Sequence, residues 1–84
     1  HYRTARGDEL DLVLVRGGRP QIAVEVKRST APHVSAGFHR AADDLAISER
    51  YVVYPGDDTY PMSGCTVIGL RALVRSLREI SARA

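Results

Sequence analysis

The sequence has a single cysteine, Cys65, so no internal disulfide framework can staple it, and that usage fits a reducing cytosol. No stretch approaches the ~18 consecutive apolar residues that a membrane-spanning helix requires, and no signal peptide opens the chain. Repeats, low-complexity segments and internal linkers are also lacking. Charge is nearly balanced. Twelve basic against ten acidic residues leave a net +2, which permits a nucleic-acid partner without demanding one. What remains is 84 residues, 44% hydrophobic and 26% charged, the composition of one small globular domain expected in the cytoplasm and away from membranes. A chain of this length buries only about 60–65% of its unfolded surface, so its core is small. Position 1 is His, not Met, which leads us to expect a fragment of a longer protein or a processed chain.

The clearest pattern lies between residues 9 and 27. From Glu9 to Val15, Leu10, Leu12 and Leu14 take one face of a strand, while Glu9, Asp11, Val13 and Val15 take the other. From Gln21 to Lys27 the alternation resumes, with Ile22, Val24 and Val26 opposite Ala23, Glu25 and Lys27. Arg16-Gly17-Gly18-Arg19-Pro20 between them reads as a hairpin loop. Before the hairpin, Tyr2 and Thr4 suit a brief strand, and Ala5-Arg6-Gly7-Asp8 is a turn signal. After it, Val34 to Ile47 carries helical spacing, although Gly37 weakens it. Tyr51–Tyr54 and Cys65–Ile68 read as short strands, with Asp57–Gly64 as loop. Leu70, Leu73, Val74, Leu77 and Ile80 form the stripe of a terminal helix. The expected fold is mixed α/β, in the order β-β-β-α-β-β-α, with the strands flanking the 34–47 crossover helix parallel.

Register follows from parity. The leucine and valine rows meet on one face only if paired residue numbers sum to an even value, because a one-residue slip turns one row outward. A two-residue Gly17-Gly18 turn would pair Arg16 with Arg19, an odd sum, and this reasoning excludes it. The favoured sum of 36 closes a five-residue loop and sets Asp11 opposite Glu25 and Glu9 opposite Lys27; sums of 34 or 38 keep the faces and shift the partners. Two facing carboxylates repel without a counter-charge. Lys27 is one candidate for that charge, and a bound Mg²⁺ or Mn²⁺ is another, since both cations favour oxygen ligands. Polar residues on the second face of a hairpin are ordinarily just solvated. Here Val13, Val15 and Ala23 share that face, and the acids cluster at one end.

Asp11, thirteen intervening residues and then Glu25-Val26-Lys27 resemble the D…(D/E)xK signature of the PD-(D/E)XK nuclease superfamily. The wider string YRTARGDELDLVLVRGGRPQIAVEVKRS, Tyr2 to Ser29, is similar to the uncharacterised C-terminal domain of many bacterial and archaeal AAA-type ATPases. The resemblance covers about residues 2–70 and is densest over 2–30. It implies a restriction-endonuclease-like core with Asp11 and Glu25 as metal ligands, the Val26 carbonyl as a third, and Lys27 orienting the attacking water. Glu9 stands where that group often has an extra acid. The superfamily's first helix, which often supplies another Glu, would lie upstream of His1.

Other residues carry less. His33 and His39 are not at the i, i+4 spacing of a helical metal pair. Cys65 has no neighbouring His or second Cys and reads as a packed hydrophobe. Asp57 and Asp58 read as loop polarity, and Gly17-Gly18 is not a phosphate loop. Arg71, Arg75 and Arg78 form a stripe that suits phosphate contact or a solvated face with Glu79 paired to Arg83, and Arg28 and Arg40 would extend a basic surface if the fold brings them near Lys27. The expected function is metal-dependent phosphodiester hydrolysis on nucleic acid, by a module tethered to an AAA-type ATPase domain of the same parent chain. The alternative is a catalytically silent module that binds nucleic acid or protein, or that forms a homodimer through an uncovered apolar face.

Overall fold

The computed structural model describes residues 2–3 and 9–82, with side chains given from residue 11 onward except Ser81. The expected Ala5–Asp8 turn, Thr4 and a Glu79–Arg83 pair lie outside the described residues. Strands β1 (Tyr2–Arg3) and β2 (Glu9–Leu10) pair with each other, Tyr2 with Leu10 and Arg3 with Glu9. The main sheet has β3 (Leu12–Arg16), β4 (Arg19–Val26), β5 (Glu49–Tyr54), β6 (Tyr60–Met62) and β7 (Cys65–Gly69) in the spatial order β3-β4-β5-β7-β6. Helix α1 (Ala36–Asp44) connects β4 to β5, and α2 (Leu70–Ala82) follows β7. The expected parallel pair is present: β4 runs parallel to β5, and β5 parallel to β7. None of the described helices is long and apolar enough to cross a membrane.

Both faces of the sheet are covered by helix, which is why residues 22–25 of β4 are all buried. Ile22 and Val24 pack with Val53, Ile68 and Leu73 beneath α2. Ala23 packs with Phe38, Ala41 and Val52 beneath α1, and Val13 joins them, so the face that carries Glu25 is partly covered as expected. The leucine and valine rows do share the α2 face, but their upper end is open. Leu12 and Val26 remain 43% and 54% exposed.

The hairpin satisfies two registers at once. Leu12 pairs with Val24 and Leu14 with Ile22, the even sum that burial requires. Val15 then pairs with Pro20 and Arg16 with Arg19, so the two-residue turn excluded by parity is the one that forms. A β-bulge after Leu14 leaves Gln21 as the extra residue and reconciles the two. Gly17 and Gly18, at φ +59° and +77°, make the type I′ turn whose twist matches the strands. Pro20, with no N–H, sits beside the bulge and before β4 meets β5. Val15 lies past the bulge and is exposed, instead of sharing the covered face.

Three further boundaries differ from expectation. The first strand is not continuous over Glu9–Val15, because the chain bends at Asp11. Part of the expected 57–64 loop is strand: β6 pairs antiparallel with β7 through a second two-residue turn, Ser63-Gly64, both at positive φ. Pro61 is tolerated there because β6 is an edge strand. Helix α1 is also shorter than 34–47. It starts after Ser35, whose Oγ accepts the Phe38 N–H at 3.1 Å, so Val34 stays outside.

The far end of α1 is a Schellman cap. The Ile47 N–H donates to the Ala42 carbonyl and the Ala46 N–H to the Asp43 carbonyl. Ala46 occupies the left-handed position at φ +56°, where a Cβ costs about 1 kcal/mol or more. Ala46 is exposed and gives up no packing on truncation. Ala46→Gly is therefore expected to stabilise the fold by about 0.5–1 kcal/mol, read as a higher urea midpoint at unchanged m-value. Arg50 braces the same end, donating to the Ile47 carbonyl at 2.8 Å and to Asp43 at 2.6 Å, with its other nitrogen 2.9 Å from His39 Nδ1. That arrangement gives His39 a structural partner and no metal-ligand geometry.

Candidate functional site

The parallel strands β4, β5 and β7 all point their carboxyl ends the same way, and the candidate site is built at that end of β4. Asp11, at the bend before β3, reaches across and accepts the Val26 N–H on Oδ2 at 2.7 Å. Its carboxylate thus supplies by side chain the link that a ladder bond would have made. The strict facing of Asp11 on Glu25 is replaced by docking of Asp11 on the Glu25–Val26 peptide. Glu9 does not pair with Lys27; its strand β2 turns away to pair with β1, and the Glu9 side chain lies outside the described residues.

Glu25 is nine-tenths buried, the one charged residue in the described core. Its Oε1 accepts from Ser35 Oγ at 3.0 Å and lies 2.9 Å from Lys27 Nζ. Its Oε2 is buried with no hydrogen-bond partner among the described residues. A buried, half-satisfied carboxylate is costly, at about 1–3 kcal/mol or more for the orphaned atom, so its retention calls for an explanation. Lys27 is one-third exposed, and its backbone N–H donates to the Val53 carbonyl at 2.8 Å, extending the β4–β5 pairing past Val26. That regularity keeps Lys27 and Glu25 on the same face.

Ser35 is the functional residue that sequence reasoning missed. One hydroxyl accepts from the Phe38 N–H and donates to Glu25, so the cap of α1 also fixes the carboxylate. A Ser just ahead of a helical stripe was the available signal, but its tie to Glu25 required the crossover to be seen in space.

No group of three or more His, Cys, Asp or Glu side chains is placed to hold a metal among the described residues. Two carboxylates are available, Asp11 and Glu25, with the Val26 carbonyl in the intervening backbone. That donor set fits Mg²⁺ or Mn²⁺, which commonly take one or two carboxylates and fill the rest with water and phosphate oxygens. The orphaned Glu25 Oε2 is the atom in the structure that such an ion would satisfy.

The arginines do not form one surface. Arg28 is exposed just after Lys27, and Arg40 is exposed on α1. Arg71 and Arg75 line a cleft with Tyr54, Gly56, Asp57 and Gly69. Arg78 lies in a separate groove with Val74, Leu77 and Ala82. Cys65 is buried on the α1 side; burial pushes its thiol up, while Arg50 pulls it down and Glu25 adds to the rise. It is therefore a packed side chain whose burial disfavours the reactive thiolate.

Residues 1–73 match the family model described as "Domain of unknown function (DUF4143)". Over 67 residues the chain is 36% identical to "Uncharacterized protein Rv2008c" of Mycobacterium tuberculosis and, equally, to "Uncharacterized protein Mb2031c" of Mycobacterium bovis. Each alignment covers 80% of this chain and 15% of the relative, so the chain spans only a small part of the length of these curated relatives. No solved structure matches the chain. With the match running from β1 into the first turn of α2, this chain belongs to the DUF4143 family.

Proposed function

We propose that this chain is a nuclease-like module of the PD-(D/E)XK type, acting with Mg²⁺ or Mn²⁺ on nucleic-acid phosphodiesters and joined to an AAA-type ATPase domain in its parent protein. One observation carries the reading: Glu25 is nine-tenths buried, with Oε2 unpartnered and Oε1 beside Lys27, next to the peptide on which Asp11 docks. Asp11, Glu25 and the Val26 carbonyl would hold the cation, which when bound supplies Lewis-acid polarisation of the phosphoryl group. Lys27 orients the water at its ammonium and offsets negative charge as it develops on the phosphoryl oxygens. Ser35 holds the Glu25 carboxylate in one orientation through Oε1, leaving Oε2 for the ion. The Asp11–Val26 bond sets the distance between the two acidic groups by tying the start of β3 to the end of β4.

A second reading, a silent interaction module on the same fold, is favoured by the Lys27–Glu25 pair, which neutralises the carboxylate without any metal. Calorimetric titration with Mn²⁺ separates the two. The nuclease reading expects saturable binding, weakened about tenfold or more by Glu25→Gln and by Asp11→Asn, and metal-dependent nicking of plasmid DNA that falls with both. Absence of saturable Mn²⁺ uptake, or nicking indifferent to Glu25→Gln, would discard the metal site and leave the silent module. A monomer by sedimentation at high concentration would dismiss the homodimer.

A further inference from the structure

In sequence, Arg71, Arg75 and Arg78 look like one basic stripe, but the fold gives them different surroundings. Arg71 and Arg75, one helical turn apart, both line a cleft of about 430 Å³ where β5 and β7 end and α2 begins. Arg78 does not reach it. The cleft floor is backbone, because the 55–57 segment lies directly on the end of β7. A Cβ on Gly69 would fall 2.5 Å from the Gly56 carbonyl oxygen, so this approach exists only with glycine there. Neither guanidinium is taken up by a hydrogen bond or ion pair among the described residues. Asp57 also lines the cleft, leaving its formal charge at one net positive: two arginines against one carboxylate.

The cleft opens at the same end of the sheet as Glu25 and Lys27. Glu25 and Lys27 lie on the α1 face of the sheet and α2 covers the other, so a nucleic-acid strand serving both would pass from the cleft around the carboxyl edge, across the end of β5, to the end of β4. We infer that Arg71 and Arg75 bind backbone phosphates of a nucleic-acid strand that runs along the carboxyl edge of the sheet to Glu25 and Lys27. The inference rests on the nuclease reading for its substrate class, and it assigns Arg78 no part in binding. Two planar guanidinium forks suit phosphate oxygens, while Asp57 opposes a phosphate and sets the affinity below what the arginines alone would give.

The test is fluorescence anisotropy of a short labelled single-stranded DNA with this chain, in EDTA over a salt series, so that no metal chemistry contributes. Joint Arg71→Ala and Arg75→Ala substitution is expected to weaken binding about tenfold or more and to flatten the log–log salt slope by about 1.4, or roughly 0.7 per lost contact. Arg78→Ala should leave affinity within about twofold, and Asp57→Asn should tighten it about twofold to threefold. All four positions are exposed, so helix content by circular dichroism should not change. Equal losses from Arg78→Ala and from the double variant would overturn the inference in favour of diffuse attraction. Binding by the wild type that survives the double substitution would overturn it alone, leaving the Glu25–Lys27 reading untouched. A wild type that binds no strand would overturn the inference, while the nuclease reading stands or falls on Mn²⁺ uptake and plasmid nicking. Strand binding lost in the double variant, in a chain that takes up no Mn²⁺, supports the cleft while removing the nuclease reading.

Discussion

Lys27→Met is expected to cut metal-dependent phosphodiester cleavage by about 10²–10³-fold while strengthening Mn²⁺ binding. The two effects have opposite signs because Lys27 plays two roles under the proposed reading. Its ammonium offsets charge that develops at the phosphoryl group, and loss of one such preorganised donor typically costs that much in rate. The same ammonium sits 2.9 Å from Glu25 Oε1, where it competes with any other cation for the carboxylate's charge. Its removal leaves Glu25 nine-tenths buried with Ser35 as its remaining described partner. Breaking a fully buried pair costs about 3–5 kcal/mol, but Lys27 is one-third exposed and solvent screens it, so a loss of about 1–2 kcal/mol is expected. Mn²⁺ should recover part of that loss, so its effect on the melting temperature should be larger in Lys27→Met than in the wild type. A variant that cleaves like the wild type, or whose melting temperature ignores Mn²⁺, would show that Lys27 and Glu25 form only a structural pair.

Glu25 and Lys27 are partly readable in the linear chain. Alternation over Leu12–Leu14 and Ile22–Val24 leads to the right register, because a slip there would expose an apolar row. It also places Glu25 and Lys27 together on the face beneath α1, since they are two residues apart in one strand. The turn escapes the same reasoning for a physical cause. Parity holds only along an unbroken ladder, whereas Gly17-Gly18 dictates its own turn geometry and Gln21 absorbs the mismatch as a bulge. Asp11 illustrates a second limit. Its type and position suggest a partner of Glu25, yet the bend that aims it at the Val26 N–H is created by β2 leaving to pair with β1, a long-range event invisible to alternation.

Other features leave little local trace. Strand β6 is three residues, Tyr60-Pro61-Met62, with a proline in the middle, and only its edge position makes it a strand. Ser35 is ordinary as an N-cap; its bond to Glu25 depends on α1 crossing back over β4. The arginine stripe is visible as a stripe, but its division between two surfaces depends on where α2 crosses the sheet. In each case local chemistry identifies the residue type, and the tertiary fold decides which neighbour it meets.

Gly69→Ala is expected to destabilise the chain by about 2–3 kcal/mol, whereas Gly17→Ala should cost only about 1 kcal/mol. The two glycines are needed for unrelated reasons. Gly17 has φ +59°, and a Cβ added there would meet nothing within 4 Å, so an alanine faces only the intrinsic penalty of the left-handed region. Gly69 has no such dihedral, but its Cβ would lie 2.5 Å from the Gly56 oxygen and 3.7 Å from its carbonyl carbon, and backbone cannot rotate aside as a side chain can. Nor can the 55–58 segment easily retreat. The buried Tyr54 ring stands against Gly56, and its hydroxyl accepts the Asp58 N–H at 2.9 Å, holding the segment from the other side. A chain of 84 residues has roughly 4–13 kcal/mol of total stability, so the Gly69 effect is a substantial share of it. Urea unfolding of both variants checks the ranking, and equal costs would mean that the strand ends do not approach so closely. Because the same contact forms the floor of the arginine cleft, Gly69→Ala should also weaken single-stranded DNA binding under conditions where the variant is still folded, and Gly17→Ala, at the opposite end of β4, should not.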